Sequence, residues 1–204
     1  MDKVINRWAG GTSYGPVLSQ TDLYLLNTEL ELNPLLKGEV PDALMQFHLV
    51  TGFPTNSRTQ DNGVHGRDQP ATLPRVSQLI IISKYSPWCT IVKKDTGVTI
   101  GDICSIIYRD YNENDITDVE FNSLNPRGQE QLRRSSAVNT GNREPQNPNS
   151  PWGYYTPHQA PERLRRLDWL RERVYLEGIS RDDNYARARL GFRAPNVFIM
   201  DLTS

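Results

Sequence analysis

Four stretches of this sequence hold residue types able to do chemistry. The first is His65-Gly66-Arg67-Asp68, which sets a base, a cation and a carboxylate side by side in the polar loop from Gly52 to Pro74. Adjacency in a loop does not aim three side chains at one atom, so the tetrapeptide carries no catalytic assignment. The second is Thr96-Gly97-Val98-Thr99-Ile100-Gly101, where glycines approach a helix N-terminus, a place whose N–H groups can hold an anion. Its spacing matches no nucleotide fingerprint, and a turn followed by a cap accounts for both glycines. The third is an arginine-rich segment with Arg163, Arg165, Arg166, Arg171, Arg173, Arg187 and Arg189, accompanied by Trp169 and Tyr185. Arginine beside aromatic rings suits single-stranded nucleic acid. In the fourth, Pro145, Pro148 and Pro151 recur every third residue and lead into Trp152, Tyr154 and Tyr155. That pattern fits a polyproline II segment offering aromatic side chains to a partner protein.

Signatures of known chemistry are otherwise missing. The chain has no H-E-x-x-H, no paired C-x-x-C, no G-x-S-x-G and no phosphate-binding loop. Its three histidines, His48, His65 and His158, lie in unrelated settings. No catalytic, metal-binding or cofactor-binding residue is assigned on this basis, and no cofactor is expected.

Length and composition bound the elements that must position these groups. A chain of 204 residues suits one domain with long loops, while 14 Pro, 14 Gly and an apolar fraction of 37% point to much irregular backbone. Net charge is −1 but unevenly spread: residues 1–126 carry 10 Lys and Arg against 15 Asp and Glu, and residues 127–193 carry 13 Arg against 8 acids. Such asymmetry marks either an anionic partner or two halves that complement each other. The N-terminus lacks the apolar core of a secretory signal, and no run reaches membrane-span length. Cys89 and Cys104 each sit in an apolar segment, as reduced thiols do. An intracellular protein, cytoplasmic or nuclear, without structural disulfides or a membrane partner is expected.

The clearest elements lie between Val76 and Tyr111. Leu79 to Ile82 reads as a strand buried on both faces, and Trp88 to Lys93 alternates as a second strand after the turn at Pro87. Thr99 is a natural N-cap with Asp102 at N3, and Val98 and Ile103 stand at the staple positions. Ile100, Ile103, Cys104, Ile107 and Tyr111 form one stripe, whose isoleucines stabilise the core by roughly 1.5–3 kcal/mol each on burial.

Elsewhere, Thr21-Asp22 can open a short helix, and Pro34 keeps Leu30–Leu36 from being a central strand. Met45, Phe47 and Leu49 alternate as a half-buried strand. Thr117 and Glu120 form a capping box, and Pro126 suits the first turn of a further helix. Leu164, Leu167, Trp169 and Leu170 line one side of a short helix, with Arg163, Arg165, Arg166 and Asp168 mostly outside. Residues 180–195 read as a charged loop.

The predicted fold is a single α+β domain. A mainly antiparallel sheet takes strands near 44–50, 77–83, 88–94, 173–179 and 196–202, and helices near 99–112, 118–135 and 162–170 cover one face. Residues 1–29 form an extended N-terminal arm. The domain occupies 30–204, with a polar loop at 52–74 and a Pro/Asn/aromatic-rich insertion at about 137–160.

This order of pieces resembles the six-six-nine-nine domain-of-unknown-function family, abundant in basidiomycete fungi. An L-x-P-L-L opening is here Leu32-Asn33-Pro34-Leu35-Leu36, and an S-x-x-x-P-W turn ends at Pro87-Trp88. A G-V-T-V-x-D-[VI] helix start is here Gly97-Val98-Thr99-Ile100-Gly101-Asp102-Ile103. An R-R-x-D-[WF]-L segment is here Arg165 to Leu170, and an F-x-G-[LI] strand is here Tyr175 to Ile179. The likeness spans about residues 30–202. Tyr175 lies one place before the usual aromatic position. The resemblance implies a fungal source and a small α+β domain, and it implies no activity, cofactor or catalytic residue.

Three functional readings remain at this level. The favoured one is a non-enzymatic protein-interaction or ligand-binding module, with an unknown protein partner meeting Trp152, Tyr154, Tyr155, Arg163, Arg165 and Arg166. The alternatives are an anionic polymer such as nucleic acid held by the C-terminal arginines, and an enzyme without a recognisable motif. The overall acidic balance disfavours nucleic acid. In each reading, function is expected in the two long loops or the Arg-rich segment.

Overall fold

A computed structural model of the protein describes residues 7–11, 15–39, 46–54, 66–141 and 163–204. In chain order its elements begin with α1 (Gln20–Leu26), β1 (Glu31–Leu32), β2 (Phe47–His48), β3 (Phe53–Pro54) and β4 (Thr72–Leu73). The central unit follows as β5 (Gln78–Ile82), β6 (Cys89–Lys93) and α2 (Ile100–Glu113). Then come α3 (Asp118–Ser123), α4 (Pro126–Gly141), α5 (Arg166–Trp169), β7 (Tyr175–Ser180), α6 (Asp183–Leu190) and β8 (Val197–Thr203).

The α+β class and the mainly antiparallel sheet both hold, with one parallel pair. Six strands run in the order β3-β2-β7-β8-β5-β6, and every pairing is antiparallel except β5 with β8. The sheet is therefore mixed. The parallel pair arises because the chain leaves β6 for the helices and returns through β7, so that β8 enters beside β5. Strand β5 alternates as its sequence requires: Leu79 and Ile81 join the main core, while Ile82, with Ile80 packed beside it, belongs to a second small cluster.

That second cluster adds a helix, beyond those expected, on the opposite face of the sheet. Ala186, Tyr185 and Leu190 of α6 pack against Ile82, Val197 and Ile199, on the face away from Leu79 and Ile81. Residues 183–190, expected as loop, are helical because both ends are capped. The Asp182 carboxylate accepts from the Tyr185 N–H at 2.9 Å, and Gly191 takes the left-handed conformation at φ 81°.

On the main-core side, α2 lies as its signals demand. Thr99 and Asp102 exchange hydrogen bonds as a capping box, and Ile100, Ile103, Cys104, Ile107 and Tyr111 are all buried. The stretch at 118–135 is two helices, broken where Asn125 accepts from the Gly128 N–H at 2.7 Å and Pro126 opens α4. The helix near 162–170 shrinks to α5, and the strand near 44–50 to Phe47–His48. Of the two cysteines, Cys104 is buried, which pushes its thiol up to about 12, whereas Cys89 is exposed on β6.

The described part of the N-terminal segment is tied to the domain. Helix α1 starts at Gln20 under a Ser19 cap, and its Leu23 is buried. The Arg75 guanidinium donates to the Gly15 carbonyl at 2.7 Å, and Leu18 bridges to Val76. From there the chain turns left-handed at Asn27 and enters β1, which pairs with β4 in a separate two-stranded sheet. Pro34 does keep this piece out of the main sheet.

Candidate binding cleft

Trp152, Tyr154 and Tyr155 lie outside the described residues, as do His65 and His158. The arginines singled out in the sequence are dispersed over several local tasks. Arg163 forms an ion pair with Asp115, and the Arg165 backbone N–H donates to the Asp168 carboxylate at 2.9 Å at the start of α5. Arg166 pairs with Asp110 at 2.9 Å and lays its guanidinium over the Trp88 ring, 4.9 Å from the centroid. Arg173 sits over Tyr85 at 4.5 Å, Arg189 donates to the Pro87 carbonyl, and Arg171 and Arg187 are exposed. Asp168, expected outside, is buried and accepts from the Asn139 amide at 2.9 Å.

Trp88 and Trp169 come from two separate motifs of the family resemblance, and the structure brings them together. Their rings meet edge to face at 5.3 Å, and Tyr111 meets Trp88 in the same manner at 6.3 Å. The Trp88 indole N–H donates to Glu120 at 2.6 Å, and the Tyr111 and Ser86 hydroxyls share a hydrogen bond at 2.5 Å. Burial would raise the Glu120 carboxyl. Hydrogen bonds from Thr117 and Trp88, together with the Arg166 charge, outweigh that and hold it below the usual carboxylate range. Burial pushes the Tyr111 hydroxyl well above its ordinary value. Ring edges, carboxylates and cation are all committed to one another, so this cluster is a clamp between α2, α5 and the β5–β6 turn.

The N-terminus of α2 is equally committed. Its first N–H groups, from Ile100 and Gly101, donate to the carbonyls of Gln69 and Arg67 at 3.1 and 2.9 Å, and the Asp102 N–H donates to Thr99 Oγ1. No N–H of that first turn is left for an anion. Arg67 of the His-Gly-Arg-Asp stretch thus serves to cap a helix through its backbone carbonyl. Gly97, at φ 96°, is a turn residue as expected, but Gly101 has a different reason: a Cβ there would collide with Arg67.

An open cleft of about 630 Å³ lies elsewhere, between the 29–39 segment and the ends of β7 and β8. It is lined by Glu29, Glu31, Glu39, Asp201, Lys37 and Arg181, with Leu73 and the buried Leu32, Ile179 and Phe198 behind them. Two smaller hollows continue it. One of about 330 Å³ shares Glu29 and Arg181 and ends at Asn27, and another of about 320 Å³ shares Lys37 and Asp201 and reaches Gln46. Both cations of the main cavity are spoken for: Lys37 reaches Glu39 at 3.4 Å, and Arg181 reaches Asp183 at 3.0 Å. Glu31 pairs with Arg7, and Asp201 accepts from the Ser180 hydroxyl at 3.1 Å. Glu29 is exposed and has no ion-pair partner among the described residues.

The cleft wall is held by one tight approach. The Ile179 N–H donates to the Leu36 carbonyl at 2.6 Å beside the bulge where β7 and β8 shift register. A Cβ at Gly178 would stand 2.8 Å from that same oxygen, so only glycine lets the 33–38 turn sit there. These residues were missed by sequence reasoning because the cleft gathers them from four distant segments. The Leu32–Leu36 and Tyr175–Ile179 motifs were the signal available, read there as turn and strand.

Among the described residues no group of three or more His, Cys, Asp or Glu could hold a metal, and no helix is long and apolar enough to cross a membrane. Fold and site together define a single α+β domain with a mixed six-stranded sheet and an open, acidic-rimmed cleft. The chain belongs to the family of unknown function DUF6699, whose model matches residues 45–186. That span is shorter than the 30–202 over which the motifs run, leaving out β1 and β8. No curated protein and no solved structure matches the chain.

Proposed function

We propose that the protein is a non-enzymatic binding module that acts through the cleft between residues 29–39 and the β7–β8 pair. The observation that carries this is an open cavity of about 630 Å³ ringed by charged side chains, a volume within the range of ligand sites. The lining supports binding over catalysis. It offers carboxylates, one lysine, one arginine and a serine already bonded to Asp201, with no histidine or cysteine among the described residues that line it. The anionic-polymer reading has less support, since Arg163, Arg166, Arg181 and Arg193 are each paired with an aspartate.

The test is a thermal-shift screen of small ligands and short peptides on the native chain and on Ser180→Trp, which fills the cleft from an exposed position; Ser180→Ala is the matched control. A ligand at about 100 times its Kd adds roughly 2.7 kcal/mol to stability. Hits that raise the Tm of the native and Ser180→Ala proteins, but not of Ser180→Trp, support the proposal. Hits that act equally on all three place binding elsewhere and end it.

A further inference from the structure

We infer that two copies of this chain pair along the outer edge of β6, antiparallel about a two-fold axis at Ile91, and so join their sheets into one. Strand β6 ends the six-stranded order, with β5 on one side and no strand on the other among the described residues. All five of its residues pair with β5, so the open edge is as long as the strand. The Ile80 N–H donates to the Asn196 carbonyl at 2.9 Å, which turns the backbone groups of Ile80 toward β8. Ile91 stands directly opposite Ile80 and therefore turns its own N–H and C=O away from β5, as do Cys89 and Lys93. No hydrogen bond among the described residues reaches those outward groups. Such an edge is a template for another strand.

The side chains of β6 divide the same way. Thr90 and Val92 are buried, whereas Cys89, Ile91 and Lys93 are exposed on the face that carries Ile80 and Ile82. Helix α6 packs over Ile82 and Ile80 on that face, while Ile91 keeps 50% of its surface in solvent.

The strand itself selects a second copy and one register. Centred on Ile91, the antiparallel pairing sets Ile91 against its counterpart and Cys89 against the counterpart of Lys93, which satisfies every outward N–H and C=O of the three residues. Ile80, Ile91 and their two counterparts then form a row of four isoleucines across the joined face, the kind of cross-strand contact that stabilises a sheet. The two Lys93 residues stand about 13 Å apart along the strands, beyond a screening length of about 8 Å at physiological salt. Neighbouring registers fail. Centring on Lys93 sets two ammonium groups face to face, and centring on Cys89 brings Pro87, which has no N–H, opposite Ile91. The carboxylates that α2 directs toward β6 and its following turn, Asp110 and Asp102, are offset within their own chain by Arg166 and Lys94. None of the β6 residues lines the cleft, so this inference stands or falls apart from the proposed binding function.

The experiment is sedimentation equilibrium of the native chain from micromolar to millimolar concentration, with cross-linking to read the register. A monomer–dimer equilibrium is expected. Ile91→Lys, which sets like charges on the axis, should weaken it by about 100-fold. Phe53→Lys, at an exposed position on the opposite edge of the sheet, should leave it unchanged, and a melting curve of each variant reports that it is folded. On mild oxidation, Ile91→Cys in a Cys89→Ser background should give a covalent dimer, since opposed Cα atoms about 5.5 Å apart suit a disulfide. The native chain should not, because its Cys89 residues stand about 13 Å apart along the strands in this register and Cys104 is buried. A native chain that stays monomeric throughout, or a dimer indifferent to Ile91→Lys, would overturn the inference. Cross-linking through Cys89 as fast as through Ile91→Cys would overturn the register.

Discussion

The clamp around Trp88 and the cleft around Glu29 hold similar kinds of residue and put them to opposite use. In the clamp every ring, carboxylate and guanidinium faces a partner: Trp88 meets Trp169, Tyr111, Arg166 and Glu120 within one cluster. In the cleft charged side chains ring an open space, and Glu29 is exposed without an ion-pair partner among the described residues. Groups that are satisfied in the native state stabilise it; polar groups and apolar surface left open are where binding energy can still be gained. The motif residues near Trp88 are therefore scaffold, and the cleft is where function is sought.

Substitutions should separate the two regions by size of effect. Trp88→Ala removes the centre of the clamp and should cost about 3–5 kcal/mol, read as a lower midpoint in urea unfolding. Gly178→Ala should cost roughly 1–3 kcal/mol, because the new methyl meets the Leu36 carbonyl and displaces the turn that walls the cleft. It is the one substitution expected to damage both stability and ligand binding. Arg166→Lys keeps the charge but loses the flat stacking surface on Trp88 and should cost about 1 kcal/mol. Glu29→Gln and Ser180→Ala should change stability by less than about 0.5 kcal/mol. A cleft substitution as costly as Trp88→Ala would make the cleft structural and erase the contrast.

Acid sharpens the contrast from another side. Burial would raise the Asp102 carboxyl, but hydrogen bonds from Lys94 and Thr99 and the Lys94 charge outweigh it and hold it low, as happens at Glu120. With a folded pKa below the unfolded one, each contributes stability in full above the ordinary carboxylate value of about 4. That contribution is lost as pH falls below this value and through the folded one. Urea midpoints measured from about pH 6 down to about pH 3 should fall less steeply for Asp102→Asn and Glu120→Gln than for the native chain.

How much of this was legible in the sequence follows from distance along the chain. The α2 cap, the β5–β6 hairpin and the buried stripe from Ile100 to Tyr111 are local, and local periodicity and capping chemistry specify them. Helix α6 was hidden because it is short and dense in arginine, so its apolar Tyr185, Ala186 and Leu190 made no clear stripe. The parallel β5–β8 pair depends on where the chain returns after more than 100 residues, which no local pattern encodes. Trp88 and Arg166 could each be recognised in a motif, but their meeting across 78 positions could not. The cleft was the least legible feature, since Glu29, Lys37, Arg181 and Asp201 come from distant segments that no local pattern links.

The most direct test is a two-dimensional amide NMR titration of the isotope-labelled chain with a ligand found by the thermal-shift screen. Signals from residues 29–39, 178–181 and 198–201 should move, while the indole N–H signals of Trp88 and Trp169 stay in place. Movement of those indole signals with a silent cleft would contradict the division into scaffold and site.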